Sequence, residues 1–150
     1  LGAIYDPLRD ELFMAESGKG AAMNGVSLSV SGTSDLDRAL IATGFPYDKR
    51  ESPVNNLDHF QRFALRTQGV RRAGSAALDL AYVAAGRLDG YWELKLSPWD
   101  VAAGVLLVQE AGGRVTDFSG GGDFIYSGEV VAANAHIQRE MLDTLAEALG

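Results

Sequence analysis

The chain has no cysteine, only two histidines and only four prolines among 150 residues. Without a thiol, cysteine nucleophiles, thiolate zinc sites and disulfide staples are excluded. Imidazole chemistry has only His59 and His136 to draw on. Neither has a serine or carboxylate at a spacing that would make a triad, and both read as structural or solvent-facing. No apolar run reaches the ~18 residues of a membrane span, and no charged-then-apolar leader is present, so a cytoplasmic location is the expectation. Basic residues are outnumbered: 13 Lys and Arg against 20 Asp and Glu leave a net charge of −7. They form no cluster, and counterion release from a phosphate backbone needs a localised basic face, so neither nucleic acid nor an anionic membrane is an expected partner. Nucleotide-cradling motifs are missing as well: there is no Gly-x-x-x-x-Gly-Lys-Ser/Thr loop and no Gly-x-Gly-x-x-Gly after a strand.

What is present suffices for one ordinary core, with 47% of residues hydrophobic. Leu1-Gly2-Ala3-Ile4-Tyr5 reads as a strand already under way, as a piece of a longer chain would begin. Residues 1–31 alternate strand-like stretches with turn chemistry at Asp6-Pro7, Ser17-Gly18-Lys19-Gly20 and Asn24-Gly25, the pattern of an antiparallel meander. After residue 36 short apolar strands alternate with amphipathic helices, which is α/β texture. Strands are expected at 39–42, 69–72, 88–93, 113–116 and 130–133, and helices at Asn55–Arg66, Ser75–Ala85, Trp99–Ala111 and Ile137–Leu149. Ser75 is the N-cap and Gly86 the C′ stop of the second helix. The division expected is 1–36 for the meander and 37–150 for the α/β unit.

Carboxylates near helix starts are the remaining chemistry. Glu93 falls at a strand end and Asp100 in the first turn of the next helix, and ligands of open α/β sheets gather beyond the carboxyl ends of strands. Ser97, Pro98 and Asp100 also spell a capping box, in which the acid only satisfies backbone N–H groups. The residues by themselves favour that capping role over a metal ligand. Gly74-Ser75-Ala76 opens a helix and exposes N–H groups that suit an anion or a hydroxyl. Asp79 reads most simply as a helix-dipole residue, Arg71 and Arg72 as solvated charges, and Tyr91, Trp92 and Trp99 as core or rim aromatics. Trp99 is expected to be mostly buried, next to Val101, Leu106 and Val108.

Trp99-Asp100-Val101-Ala102-Ala103-Gly104 followed by Glu110-Ala111-Gly112-Gly113 resembles the C-terminal signature of the inositol monophosphatase family. Three further stretches fit the same family in the same order. They are Tyr5-Asp6-Pro7 through Asn24-Gly25, Arg71 through Tyr82 with Gly74-Ser75-Ala76-Ala77 at its centre, and Gly86-Arg87-Leu88-Asp89-Gly90-Tyr91-Trp92-Glu93. The resemblance implies the C-terminal mixed-sheet α/β domain of the sugar phosphatase fold, preceded by a β-meander from a truncated N-terminal half. It implies that Asp100 is a Mg²⁺ ligand that also touches substrate, that Glu93 binds a sugar or cyclitol hydroxyl, and that Gly74, Ser75 and Ala76 line the same pocket.

The implied activity is Mg²⁺-dependent hydrolysis of inositol monophosphate or a related sugar phosphate, by a parent protein that is a homodimer. The family's other metal ligands, a Glu and an Asp-Pro-Leu-Asp-Gly-Thr stretch, have no counterpart in this sequence. Asp6-Pro7-Leu8-Arg9-Asp10 imitates the stretch but carries Arg9 at the second acid, and reads as a hairpin turn. The fragment alone is therefore expected to be inactive. A non-catalytic small-molecule or partner-binding module that keeps the fold is the alternative, and a purely structural oligomerisation domain a third and weaker reading.

Overall fold

Turn residues and period-2 alternation divide the N-terminal stretch into four strands: β1 (Gly2–Asp6), β2 (Glu11–Glu16), β3 (Gly20–Met23) and β4 (Val26–Ser27). The computed structural model of the protein describes residues 1–147. The four strands form an antiparallel sheet in sequence order, with Ile4 opposite Phe13 and Ala15 opposite Ala21. The Asp6-Pro7 segment is the β1–β2 turn, with Asp6 Oδ1 accepting the Leu8 N–H at 3.0 Å. Phe13, Ala15 and Ala21 point inward, while Tyr5, Leu12 and Met14 face out.

The second sheet is mixed. It comprises β5 (Leu40–Thr43), β6 (Gly69–Arg71), β7 (Gly90–Glu93), β8 (Arg114–Thr116) and β9 (Val130–Ala133), in the order β6-β5-β7-β9-β8. β5 runs parallel to β6 and β7, and β9 antiparallel to β7 and β8. Helices α1 (Leu57–Arg66), α2 (Ala76–Ala84), α3 (Pro98–Glu110) and α4 (Gln138–Ala146) intervene. The expected elements are present with ends shifted by one or two residues. The exception is the C-terminal helix, expected to run to Leu149, a residue that lies outside the described ones.

Pleating sorts the core into two halves. Ala42, Tyr91, Val130 and Ala132 face α2 and α3, whose other side carries the meander through Phe13, Ala15 and Ala21. Ile41, Trp92, Val131 and Ala133 face α1 and α4 through Phe63, Ile137 and Met141. The layers therefore run meander, α2–α3 pair, mixed sheet, α1–α4 pair. The two central helices approach closely because Gly104 has no side chain: a Cβ there would lie 2.6 Å from that of Leu80.

Distant stretches of the sequence meet in this packing. Glu110, at the end of α3, accepts the Gly18 and Gly20 N–H groups, each at 2.8 Å, and these bonds hold its carboxyl below the usual range. Arg87 makes a two-pronged bond with Glu11 at 2.7 Å and lies over the ring of Tyr82. Asp89 Oδ2 accepts the Leu40 N–H at 2.7 Å and so sets the start of β5 beside β7.

α1 begins two residues later than its expected start at Asn55, because Asn56 has a left-handed backbone (φ 72°) and its side chain turns away from the helix. Its amide donates to Thr43 Oγ1 (2.9 Å) and to the Gly44 carbonyl (2.6 Å) and accepts from Trp92 Nε1 (2.8 Å). Thr43 Oγ1 in turn donates to the Trp92 carbonyl at 2.6 Å. All three side chains are buried, so losing the amide would strand a donor and an acceptor away from water.

Asn56→Gly relieves the backbone but removes the amide, and it is expected to lower the unfolding free energy by about 1–3 kcal/mol. Asn56→Ala is expected to lose roughly 1 kcal/mol more through left-handed strain. Urea denaturation of the three proteins checks this, and a glycine variant as stable as the parent would mean that the network contributes nothing.

Candidate active site

Three chain segments leave the mixed sheet or enter a helix at the same edge. Thr43-Gly44-Phe45-Pro46-Tyr47 follows β5, Arg72 to Ala77 joins β6 to α2, and Glu93 to Asp100 joins β7 to α3. Together they enclose a cavity of about 330 Å³. Gly74, Ser75, Ala76, Glu93 and Asp100 all line it, and so do Arg72, Asp79 and Trp99. A wider recess of about 640 Å³ beside α4 is bordered by Asp35, Asp37, Arg38, Arg66, Glu140 and Asp143. All of these are exposed, and no strand end of the mixed sheet contributes to it.

Local chemistry places each group. Ser75 caps α2, its Oγ accepting the Leu78 N–H at 3.3 Å. The N–H groups of Ala76 and Ala77 belong to the first turn and have no intrahelical acceptor. Asp100 does what the capping box requires, Oδ2 accepting the Ser97 N–H at 2.9 Å. That leaves Oδ1 for another partner, so capping and ligation are compatible in one side chain.

Glu93 accepts a hydrogen bond from the Tyr91 hydroxyl. Its carboxyl lies against the backbone of Gly44, where any Cβ would overlap it. Burial raises the Glu93 pKa, with the Tyr91 bond and the Arg72 charge pulling the other way and the Asp100 charge adding to the rise. The Tyr91 hydroxyl is pushed well up by burial and by the neighbouring acids.

Two expectations change. Trp99 is 82% exposed. The buried residues of α3 are Val101, Gly104, Val105, Leu107 and Val108, and at 100° per residue Trp99 lies opposite their centre, bordering the cavity. Asp79 does sit in the first turn of α2, where an acid suits the helix dipole. Yet its side chain is only 1% exposed and neither carboxyl oxygen has a hydrogen-bond partner among the described residues. Burial first, and the Glu93 charge second, raise its pKa to about 7. Applying the strand-end rule to β5 as well would have found the Thr43–Tyr47 segment. No sequence signal marks the burial of Asp79. The two histidines stay out of the cavity: His59 packs edge-on against Phe118 and His136 is exposed.

As a magnesium site the cavity is partial. Asp100 has the open carboxylate oxygen that this hard cation selects. Among the described residues, however, no three His, Cys, Asp or Glu side chains form a group that could hold a metal.

A mixed sheet that brings acids and a helix N-terminus to one small polar cavity at its strand ends is the architecture of a small-molecule-binding α/β protein. The model of the inositol monophosphatase family matches residues 1–150, and the chain belongs to that family. It is 51% identical to the Nus factor SuhB of Pseudomonas aeruginosa, the match covering 95% of this chain and 53% of that protein. It is 49% identical to the inositol-1-monophosphatase of Mesorhizobium japonicum, over 99% of this chain and 56% of that one. Among solved structures, inositol monophosphatase from Anabaena superposes with a TM-score of 0.93 at 51% identity, over 95% of this chain and 59% of that chain. The chain thus spans about half the length of the curated relatives it matches. No helix among the described residues is long and apolar enough to cross a membrane.

The raised Asp79 pKa carries a stability consequence. Between the unfolded value of 3.8 and the folded value of about 7, the native state holds the proton more tightly, so stability falls as pH rises through that window. Asp79→Asn removes the effect, and the variant is expected to gain on the parent by an amount that grows from pH 4 to pH 7, to roughly 2–4 kcal/mol. Thermal or urea melts of both proteins across that range measure it, and a pH-independent difference would show that the carboxyl is not desolvated as described.

Proposed function

We propose that the whole protein hydrolyses phosphate monoesters of inositol or a related sugar through a magnesium-activated water. The observation that carries this reading is the meeting of Glu93, Asp100 and the α2 N-terminus in one cavity. Family membership and relatives named inositol-1-monophosphatase support it. Asp100 is proposed as one magnesium ligand, the others coming from chain beyond these residues. Bound magnesium lowers the pKa of a water and neutralises phosphate charge.

The chain's own groups would do the rest. Asp100 Oδ2 stays on the Ser97 N–H, which fixes the orientation of the carboxylate. The first-turn N–H groups of α2, beside Gly74, Ser75 and Ala76, would donate to the ester's oxygens. Glu93, held by Tyr91, would accept a ring hydroxyl. A homodimeric parent protein belongs to the same proposal, as does the division into a 1–36 meander and a 37–150 α/β unit.

A second reading has its own support. Relatives at 46–51% identity are named Nus factors, and that name supports reading the fold as a partner-binding module. The two readings separate on turnover.

The 150-residue chain is expected to show no magnesium-dependent phosphatase activity, because one carboxylate holds this ion poorly. A form extended to the full length of the relatives is expected to hydrolyse inositol 1-phosphate. In that form Asp100→Asn should lower kcat by about 100-fold or more, whereas Glu93→Gln should chiefly shift the preference among substrates. Steady-state assays over a magnesium series decide the matter. Turnover by the short chain would place a complete metal site within it, and an inactive full-length protein would favour the binding module.

A further inference from the structure

The carboxyl of Asp79 poses a problem the rest of the chain leaves unsolved. Buried polar groups are almost always paired, and an unpaired one costs about 1–3 kcal/mol. Asp79 borders the cavity, is almost fully buried, and has neither oxygen engaged. Two nearby donors are committed elsewhere. Tyr91 gives its hydroxyl to Glu93, and Lys95 gives its ammonium to Asp48 (2.6 Å) and Ser52 (2.9 Å). The Arg72 charge acts on Glu93, whereas the one charge acting on Asp79 is that of Glu93 itself.

Two acids thus border the cavity, and the Arg72 charge acts on Glu93, leaving Asp79 without a cation of its own. A phosphate would be repelled there, and no third metal-binding side chain completes a cation site among the described residues. The group that fits is a neutral hydrogen-bond donor, and vicinal hydroxyls supply several at the spacing of adjacent ring carbons.

Building on the phosphatase reading above, we propose that Asp79 is a specificity-determining residue which, beside Glu93, accepts hydrogen bonds from the hydroxyls of a polyol phosphate. The raised pKa of Asp79 fits this role, because near neutrality the group exchanges between acceptor and donor and can match either face of a hydroxyl. A site built to bond hydroxyls discriminates strongly against ligands that lack them, since its own buried groups are then left unpaired.

The test uses the full-length protein and its Asp79→Asn and Asp79→Ala variants, with inositol 1-phosphate and p-nitrophenyl phosphate as substrates. Binding of free myo-inositol is followed by ligand-observed NMR. Asp79→Ala is expected to lower the ratio of kcat/KM for the inositol ester to that for the aryl ester by about tenfold or more, mainly through KM. Asp79→Asn, isosteric and keeping one acceptor, should fall between, and it gives the same reading if the alanine variant does not fold. Inositol binding should weaken in the same order. A parallel loss on both esters, or an unchanged ratio, would overturn the assignment and leave Asp79 a structural residue. If the wild type hydrolyses neither ester, the phosphatase reading fails. Inositol binding that weakens with the variants would then still uphold the hydroxyl subsite, and binding that is absent or indifferent to them would overturn it too.

Discussion

One buried side-chain amide ties the cavity together. Asn56 joins the end of β5, through Thr43 and the Gly44 carbonyl, to the end of β7, through the Trp92 indole. Both strands deliver cavity residues one step later: Gly44 leaves β5 and Glu93 closes β7. The two must lie close enough that a Cβ on Gly44 would overlap the Glu93 carboxyl. An apolar contact would leave the strand ends free to slide, whereas hydrogen bonds in a low-dielectric interior fix direction as well as distance. The left-handed backbone at Asn56 is the conformational strain that accompanies this arrangement.

The acids of the chain divide by whether their surroundings satisfy them. Outside the cavity several are paired: Glu110 with two glycine N–H groups, Glu11 with Arg87, Asp89 with the start of β5, and Asp117 with the turn at 119–123. Burial dominates on the cavity floor instead, and the charges of Asp79 and Glu93 oppose each other. A fold that leaves a buried acid unpaired at one sheet edge concentrates electrostatic cost where a ligand can relieve it. The family's characteristic stretches divide along the same line. Gly86 to Asp89 and Glu110 to Gly113 hold layers together, while Gly74 to Ala76, Glu93 and Asp100 border the cavity.

Much of this was legible in the order of residues. Asn24-Gly25 and Asp6-Pro7 dictate turns, Ser75 and Gly86 bracket α2, and Ser97-Pro98 starts α3, because each acts on backbone groups within three or four residues. The placement of Glu93 and Asp100 at one edge follows equally from local rules, since strand ends of a shared sheet open to a common side. Trp99, Asp79 and Asn56 were not legible in this way. α3 is apolar on most of its circumference, so residue type could not say that the Val101–Val105 stripe would be buried and leave Trp99 in solvent. Asp79 looks like any first-turn acid until α3 and β7 close over it. Asn56 looks like a cap until Trp92, thirty-six residues later, arrives as its donor. The sequence by itself determined the elements, their caps and the strand-end carboxylates, because those depend on neighbours along the chain. Only the tertiary structure decided which polar groups are buried and which of them go unpaired, because burial is set by residues that are distant in sequence and adjacent in space.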